Sequence, residues 1–178
     1  MVYAETPVPI EVAPWVHVGA GVRSDGGDSR FARGLGAGAE ATFRFPSSET
    51  RPSLRWRTGP WVGLDSSHDR TRIEGGLALN LAGSRVTSLS AWGLRIGIGQ
   101  ALTGETDIVS QLSWGTRFVG MRRWSQVGER PCPACVAPAS GLRLFVAARR
   151  DVVGADRIEL LAGIEWQPVG WGLGMIPD

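Results

Sequence analysis

Lysine is absent from this chain of 178 residues, whose 19 basic side chains are therefore all arginine. Asparagine occurs once, at Asn80, and tyrosine once, while His17 and His68 are the only histidines. The missing lysine and asparagine reflect the codon bias of a GC-rich genome, which speaks to source rather than chemistry. No apolar run approaches the roughly 18 to 20 residues that a membrane-spanning helix needs, so a helical membrane protein is excluded. A hydrophobic content of 43% with a net charge of +2 is too apolar and too nearly neutral for a disordered chain. No charged n-region followed by an apolar h-region is visible, so the chain as given carries no export signal. Val2 and Ala4 do occupy the small-residue positions a signal peptidase reads, although chance is the preferred explanation of so short a match.

Cysteine occurs twice, as Cys132 and Cys135 in a Cys-Pro-Ala-Cys stretch bounded by Pro131 and Pro138. A zinc site would need two further ligands, for which His17 and His68 are the only histidines, and a thiol-exchange motif would need an adjacent βαβ unit, which is not visible. A local disulfide in an oxidising compartment is the expected reading, and no metal or other cofactor is expected.

Glycine and tryptophan, by contrast, are plentiful, at 25 and 8 residues. Helical periodicity is scarce, whereas apolar residues recur at every second position over 15–23, 34–45, 54–64, 71–82, 88–100, 108–119, 142–149 and 158–166. Turn-forming clusters separate these eight segments, among them Asp65 to Asp69 and Thr103 to Asp107. Short links between like strands make an antiparallel meander, and eight such strands close into an up-and-down barrel that leaves no free edge. Pro60 cannot donate to a ladder, so a bulge or break is expected there.

Which face is inside is decided by glycine. Gly19, Gly36, Gly38, Gly63, Gly93, Gly97 and Gly163 are among those on the polar face, while the apolar face holds only Gly75. A solvated outer face has no reason to prefer glycine, but the crowded interior of a small barrel does. No charged residue falls on the apolar face of the eight segments, as lipid exposure would require. The polar face carries His17, Glu40, Arg44, Arg55, Arg57, Arg72, Glu74, Arg95, Arg117, Arg143, Arg149, Glu159 and Glu165, expected to form a lumen charge network. His17, Arg143 and Glu165 should lie close together, and Arg44, Arg55 and Arg57 near one mouth. Arginine outnumbers glutamate on this face, so some guanidinium groups should reach out to the mouths. Trp15, Phe43, Phe45, Trp56, Phe118 and Trp166 should form an aromatic girdle near the end that holds the termini.

On these residues the chain from Trp15 to Trp166 resembles the small eight-stranded outer-membrane β-barrel proteins of Gram-negative bacteria, which include OmpA-type transmembrane domains and OmpX-type proteins. The resemblance implies an all-β fold, an antiparallel up-and-down eight-stranded transmembrane barrel. It also implies a location in the bacterial outer membrane, with the lipid bilayer and lipopolysaccharide as partners. Residues 1–14 would be a periplasmic segment, 15–166 the barrel and 167–178 a tail. Two departures stand out: residues follow Trp166 where such barrels usually end on an aromatic, and the long 121–140 connection shares the side of the termini.

Two motifs lose to structural explanations. Gly36-Ala-Gly38-Ala-Glu-Ala41 matches a dinucleotide fingerprint but lacks the preceding strand and following helix that would hold a pyrophosphate. Ser66-Ser67-His68-Asp69 has hydrolase residue types, yet triad partners converge from separate segments and these are turn formers. The expected function is a structural, adhesive or complex-forming membrane component rather than an open porin or an enzyme, with a possible protein partner and no nucleic acid. The alternatives are a lipid A or phospholipid-modifying enzyme using His68, and a soluble lipocalin-like binder with the faces reversed.

Overall fold

Apolar residues at alternate positions favour an extended backbone whose two faces differ in chemistry. The computed structural model describes residues 10–44, 54–67, 70–83, 87–119, 139–152, 156–168 and 171–173. Within them lie β1 (Ile10–Asp25), β2 (Asp28–Arg44), β3 (Leu54–Ser67), β4 (Arg70–Gly83) and β5 (Thr87–Ala101). The chain continues through β6 (Thr106–Val119), β7 (Ala139–Asp151), β8 (Arg157–Gln167) and a short β9 (Trp171–Leu173). Each strand from β1 to β7 pairs antiparallel with the next, and β8 pairs with β1, so the sheet closes. The expected eight-stranded up-and-down barrel is the observed one.

β9 pairs with Ile10, Glu11 and Val12 of β1, beyond the Val16–Asp25 stretch that faces β8. It therefore prolongs the eighth stave rather than adding a ninth. Two boundaries shift accordingly. Residues 10–14 belong to the wall, where Ile10 pairs with Phe43, and 171–173 leave the expected tail to join it.

The register sets the shape. A row of paired residues that starts at Arg33 on β2 runs through Ala20, Ala162, Val146, Leu112, Leu94, Leu79 and Thr58 and returns to β2 at Phe43, ten residues further on. Such a stagger tilts the strands by roughly 35–45° to the barrel axis. Pro60 interrupts only one side: β2 and β3 skip from Glu40↔Trp61 to Phe43↔Thr58 in unchanged register, while Pro60 still faces Leu77 on β4. The expected bulge is thus a local gap in one ladder.

Gly26 and Gly27, with φ of 58° and 103°, turn the chain between β1 and β2 in a conformation that glycine adopts without strain. The chain crosses back to the other end with each strand. Val119 and Ala139, paired across β6 and β7, thus sit at the end where β1 begins. The 121–140 connection therefore does leave from the side of the termini, with no error in the strand count. Cys132 and Cys135 lie outside the described residues.

The faces fall as the glycines indicate. Along β8 inward and outward residues alternate, with Glu159, Leu161 and Glu165 buried and Ile158, Leu160, Ile164 and Trp166 exposed. Glycine admits bulk elsewhere in the lumen: Gly38 and Gly63 are cross-strand partners, and the Trp15 indole lies over both. A Cβ at Gly38 would stand 2.5 Å from Trp15 Cζ2 and 2.3 Å from the Val62 carbonyl oxygen. Gly38→Val is expected to destabilise the barrel by about 1–3 kcal/mol through overpacking. Equilibrium urea unfolding reads this directly, and an unchanged midpoint would refute the close approach.

Candidate functional site

The lumen holds two buried ionic layers. In the layer nearer the start of β1, Arg95 from β5 lies between Glu40 of β2 and Glu165 of β8. Its Nη2 donates to Glu40 Oε2 at 3.1 Å, and its Nη1 makes a short bond to Glu165. Gln111 Nε2 also donates to Glu165, at 2.7 Å. Arg143 stands 3.9 Å from Glu165 and donates to Asn80 Oδ1 at 3.3 Å, and Asn80 Nδ2 donates back to Glu40 Oε1 at 2.8 Å. The circuit Glu40, Arg95, Glu165, Arg143 and Asn80 thus closes on itself across five strands.

The second layer gathers around Arg72 and Arg149. Arg149 contacts Asp65 at 2.8 Å, Glu74 at 2.6 Å and Glu159 at 3.0 Å. Arg72 contacts Asp107 at 2.7 Å and Glu159 at 3.5 Å, and Ser67 bridges it to Glu159. Between the layers a stack crosses the lumen. The Arg95 guanidinium lies 4.5 Å over Trp15, Trp15 stacks on His17 at 5.2 Å, and His17 stacks on Phe145 at 4.7 Å. His17 Nε2 is 2.8 Å from Asp65 Oδ2, which ties the stack to the second layer. Trp61, Val109 and Leu161 fill further interior space.

Of the expected network, His17, Glu40, Arg57, Arg72, Glu74, Arg95, Arg143, Arg149, Glu159 and Glu165 are all buried. Arg44 and Arg55 lie on β2 and β3 and Arg117 on β6, with their side chains outside the description. Arg143 and Glu165 do meet, and His17 pairs with Glu165 along the backbone, but the His17 ring turns to Asp65 instead. Arg57 contacts Glu11 at 3.3 Å and donates to Thr42 at 3.1 Å, near the mouth where β1 begins.

Among the described residues the expected surplus of arginine is not seen; the side chains of Arg44, Arg55 and Arg117 lie outside that count. Asp65 and Asp107, read as turn residues in the sequence, are the buried ends of longer strands. With them the described interior holds six arginines (Arg57, Arg72, Arg95, Arg143, Arg149, Arg157) and six carboxylates (Glu40, Asp65, Glu74, Asp107, Glu159, Glu165). Arg72, Arg95, Arg143 and Arg149 are accordingly paired inside rather than drawn out to the mouths. Hydrolase chemistry gains no support within the described residues. Ser66 points outward and Ser67 inward to Arg72 and Glu159, away from His17, while His68 and Asp69 are not described.

The outer wall is apolar. Val18, Leu35, Leu77, Ile98 and Leu144 are each more than half exposed. Of the aromatics expected at one end, Phe43, Trp56 and Trp166 face outward toward the end where β1 begins. Trp15 does not: it is 2% exposed inside the lumen, because its neighbour Val16 points out and adjacent strand residues take opposite faces. Trp92 and Trp114, side by side at 6.1 Å, also face outward toward that end. Phe118 lies on β6 with its side chain undescribed, and Phe45 lies outside the described residues.

At the opposite mouth Arg157 contacts Asp25 at 3.4 Å and Asp151 at 3.7 Å, and Arg70 contacts Glu105 at 3.0 Å. The Thr103 hydroxyl donates to Glu105, and with Arg70 and Arg157 nearby it holds that carboxyl below the ordinary glutamate range. The chain matches no known protein family, no curated protein and no solved structure. Its fold and its interior therefore define it as a closed β-barrel with a charge-filled lumen.

Two outcomes follow from this electrostatics. Arg95→Met leaves Glu40 without an ion partner and Glu165 with Arg143 alone, and should cost about 3–5 kcal/mol, whereas adding Glu40→Gln and Glu165→Gln should recover most of the loss. Urea unfolding of the single and triple variants checks this, and an unaffected single variant would count against the circuit. For Glu105, whose titration point is lowered, the linked stabilisation is complete above the ordinary glutamate value and fades as pH falls through the lowered one. A carboxyl NMR titration should find that low midpoint, with Thr103→Val moving it back up.

Proposed function

We propose that this chain is an integral outer-membrane β-barrel with a side-chain-filled lumen, a structural, adhesive or complex-forming component of the envelope rather than an open pore or an enzyme. The observation that carries the reading is the separation of chemistries across one wall. Water-soluble proteins seldom expose contiguous apolar patches beyond a few hundred Å², yet here apolar residues cover the outside all the way round while the ions are inside. A soluble lipocalin-like binder would need the reverse arrangement.

The dimensions support the same reading. On β2 the outward residues from Arg33 to Phe43 span ten positions, at about 3.3 Å each along a tilted strand. This gives an apolar height of about 25 Å, the thickness of the lipid-facing band of outer-membrane barrels. Among the described residues no charged side chain faces outward between the levels of Arg33 and Phe43. The outward hydroxyls of Thr58 and Thr116 bond the carbonyls of Ala78 and Leu142, which removes two polar groups from the lipid. Partners are then the bilayer, its lipopolysaccharide and a membrane or envelope protein.

Membrane fractions carrying the chain should retain it through alkaline and urea washes and release it only to detergent. Planar bilayers containing it should show no stable porin-like steps. Release without detergent would overturn the membrane reading, and regular conductance steps would overturn the closed lumen.

A further inference from the structure

We infer that the outer wall carries a binding site for phosphate-bearing anionic lipid headgroups at Arg33 and Arg150, an inference that rests on the membrane reading. Among the described residues, every arginine buried in the lumen has an ion-pair partner. Arg33 and Arg150 differ on both counts: they are exposed on the outer face, and neither has a partner carboxylate among the described residues. Arg33 lies 5.6 Å over the Phe31 ring, which steadies the guanidinium at the wall.

The two arginines share one level. The paired row from Arg33 reaches β7 at Val146 after crossing β1 and β8. The stagger of ten residues over eight strands lowers such a row by about four residues in three strands, so the residue level with Arg33 lies about four beyond Val146. That residue is Arg150. At the same height the outer face of β5 carries Gln100, and that of β3 carries Ser66. Four strands thus carry an outward polar residue at this height, where a headgroup phosphate would stand.

Between the arginines, Ala20 and Ala162 pair across β1 and β8, flanked by exposed Val18, Val22, Leu160 and Ile164. This small pair leaves a shallow apolar depression beside Arg33, closed along the strands by the Val18–Ile164 and Val22–Leu160 pairs. A lipid whose acyl chains lie against this apolar wall presents its phosphate to the guanidiniums at that height. Charge complementarity selects a net-anionic headgroup over a zwitterionic one, because each unpaired arginine near such a surface contributes about 1 kcal/mol.

The test is lipid competition on the reconstituted full chain, with bound phosphatidylglycerol and phosphatidylcholine counted by native mass spectrometry. Wild type is expected to prefer phosphatidylglycerol, and the pair Arg33→Gln and Arg150→Gln to weaken that preference about thirtyfold. Raising salt on the wild type gives an independent reading and should erode the preference. Equal preference in wild type and variant, or indifference to salt, overturns the site while leaving the barrel in the membrane. Displacement of the lipid by inorganic phosphate alone would mark a free-anion site and overturn the lipid assignment. Failure of the wild type to enter bilayers overturns both readings and is seen before any lipid is counted.

Discussion

Everything in this barrel depends on neutralising charge in a space too narrow for bulk water. Arg95 bears the most concentrated part of that constraint, held between Glu40 and Glu165 and capped by the Trp15 ring. A buried guanidinium without partners would be prohibitive, and with one partner removed the remaining ion becomes the liability. The chain meets this by drawing each partner from a different strand. The same bonds that balance charge therefore fix which strands face one another across the lumen.

The lumen dictates glycine as well as charge. Trp15 and His17 extend over the neighbouring strands β2 and β3, and the wall must be thin where they cross it. Gly38 and Gly63 supply that thinness under the indole, and Gly36 does the same where a Cβ would stand 2.4 Å from His17 Nε2. The aromatic stack and the ionic layers thus share a single packing solution. On the outside no comparable constraint acts, and small and large apolar residues alternate freely along the strands.

Period-two alternation made the number of strands, their order and their facing legible, because one face of each had to be polar and the other apolar throughout. It failed at strand ends, where alternation fades into turn-forming residues. Asp65 and Asp107 looked like turn formers because carboxylates usually are. Only the closed sheet shows that the strands run on far enough to carry both inward, where Arg149 and Arg72 await them. Trp15 was misread because tryptophan suggests an interface, while its parity with His17 already placed it inside. The stack from Arg95 to Phe145 joins β5, β1 and β7, residues far apart in sequence, and no local pattern could reveal it.

The central claim is that the apolar face meets lipid and the charged face is sealed within. Spin labels at Leu64, Leu77, Ile96, Leu112, Leu144 and Ile164, in the chain reconstituted into bilayers, test it most directly. Collision with oxygen, which concentrates in lipid, should be high at all six, and collision with a water-soluble nickel chelate low. High nickel accessibility all around the wall would contradict the account.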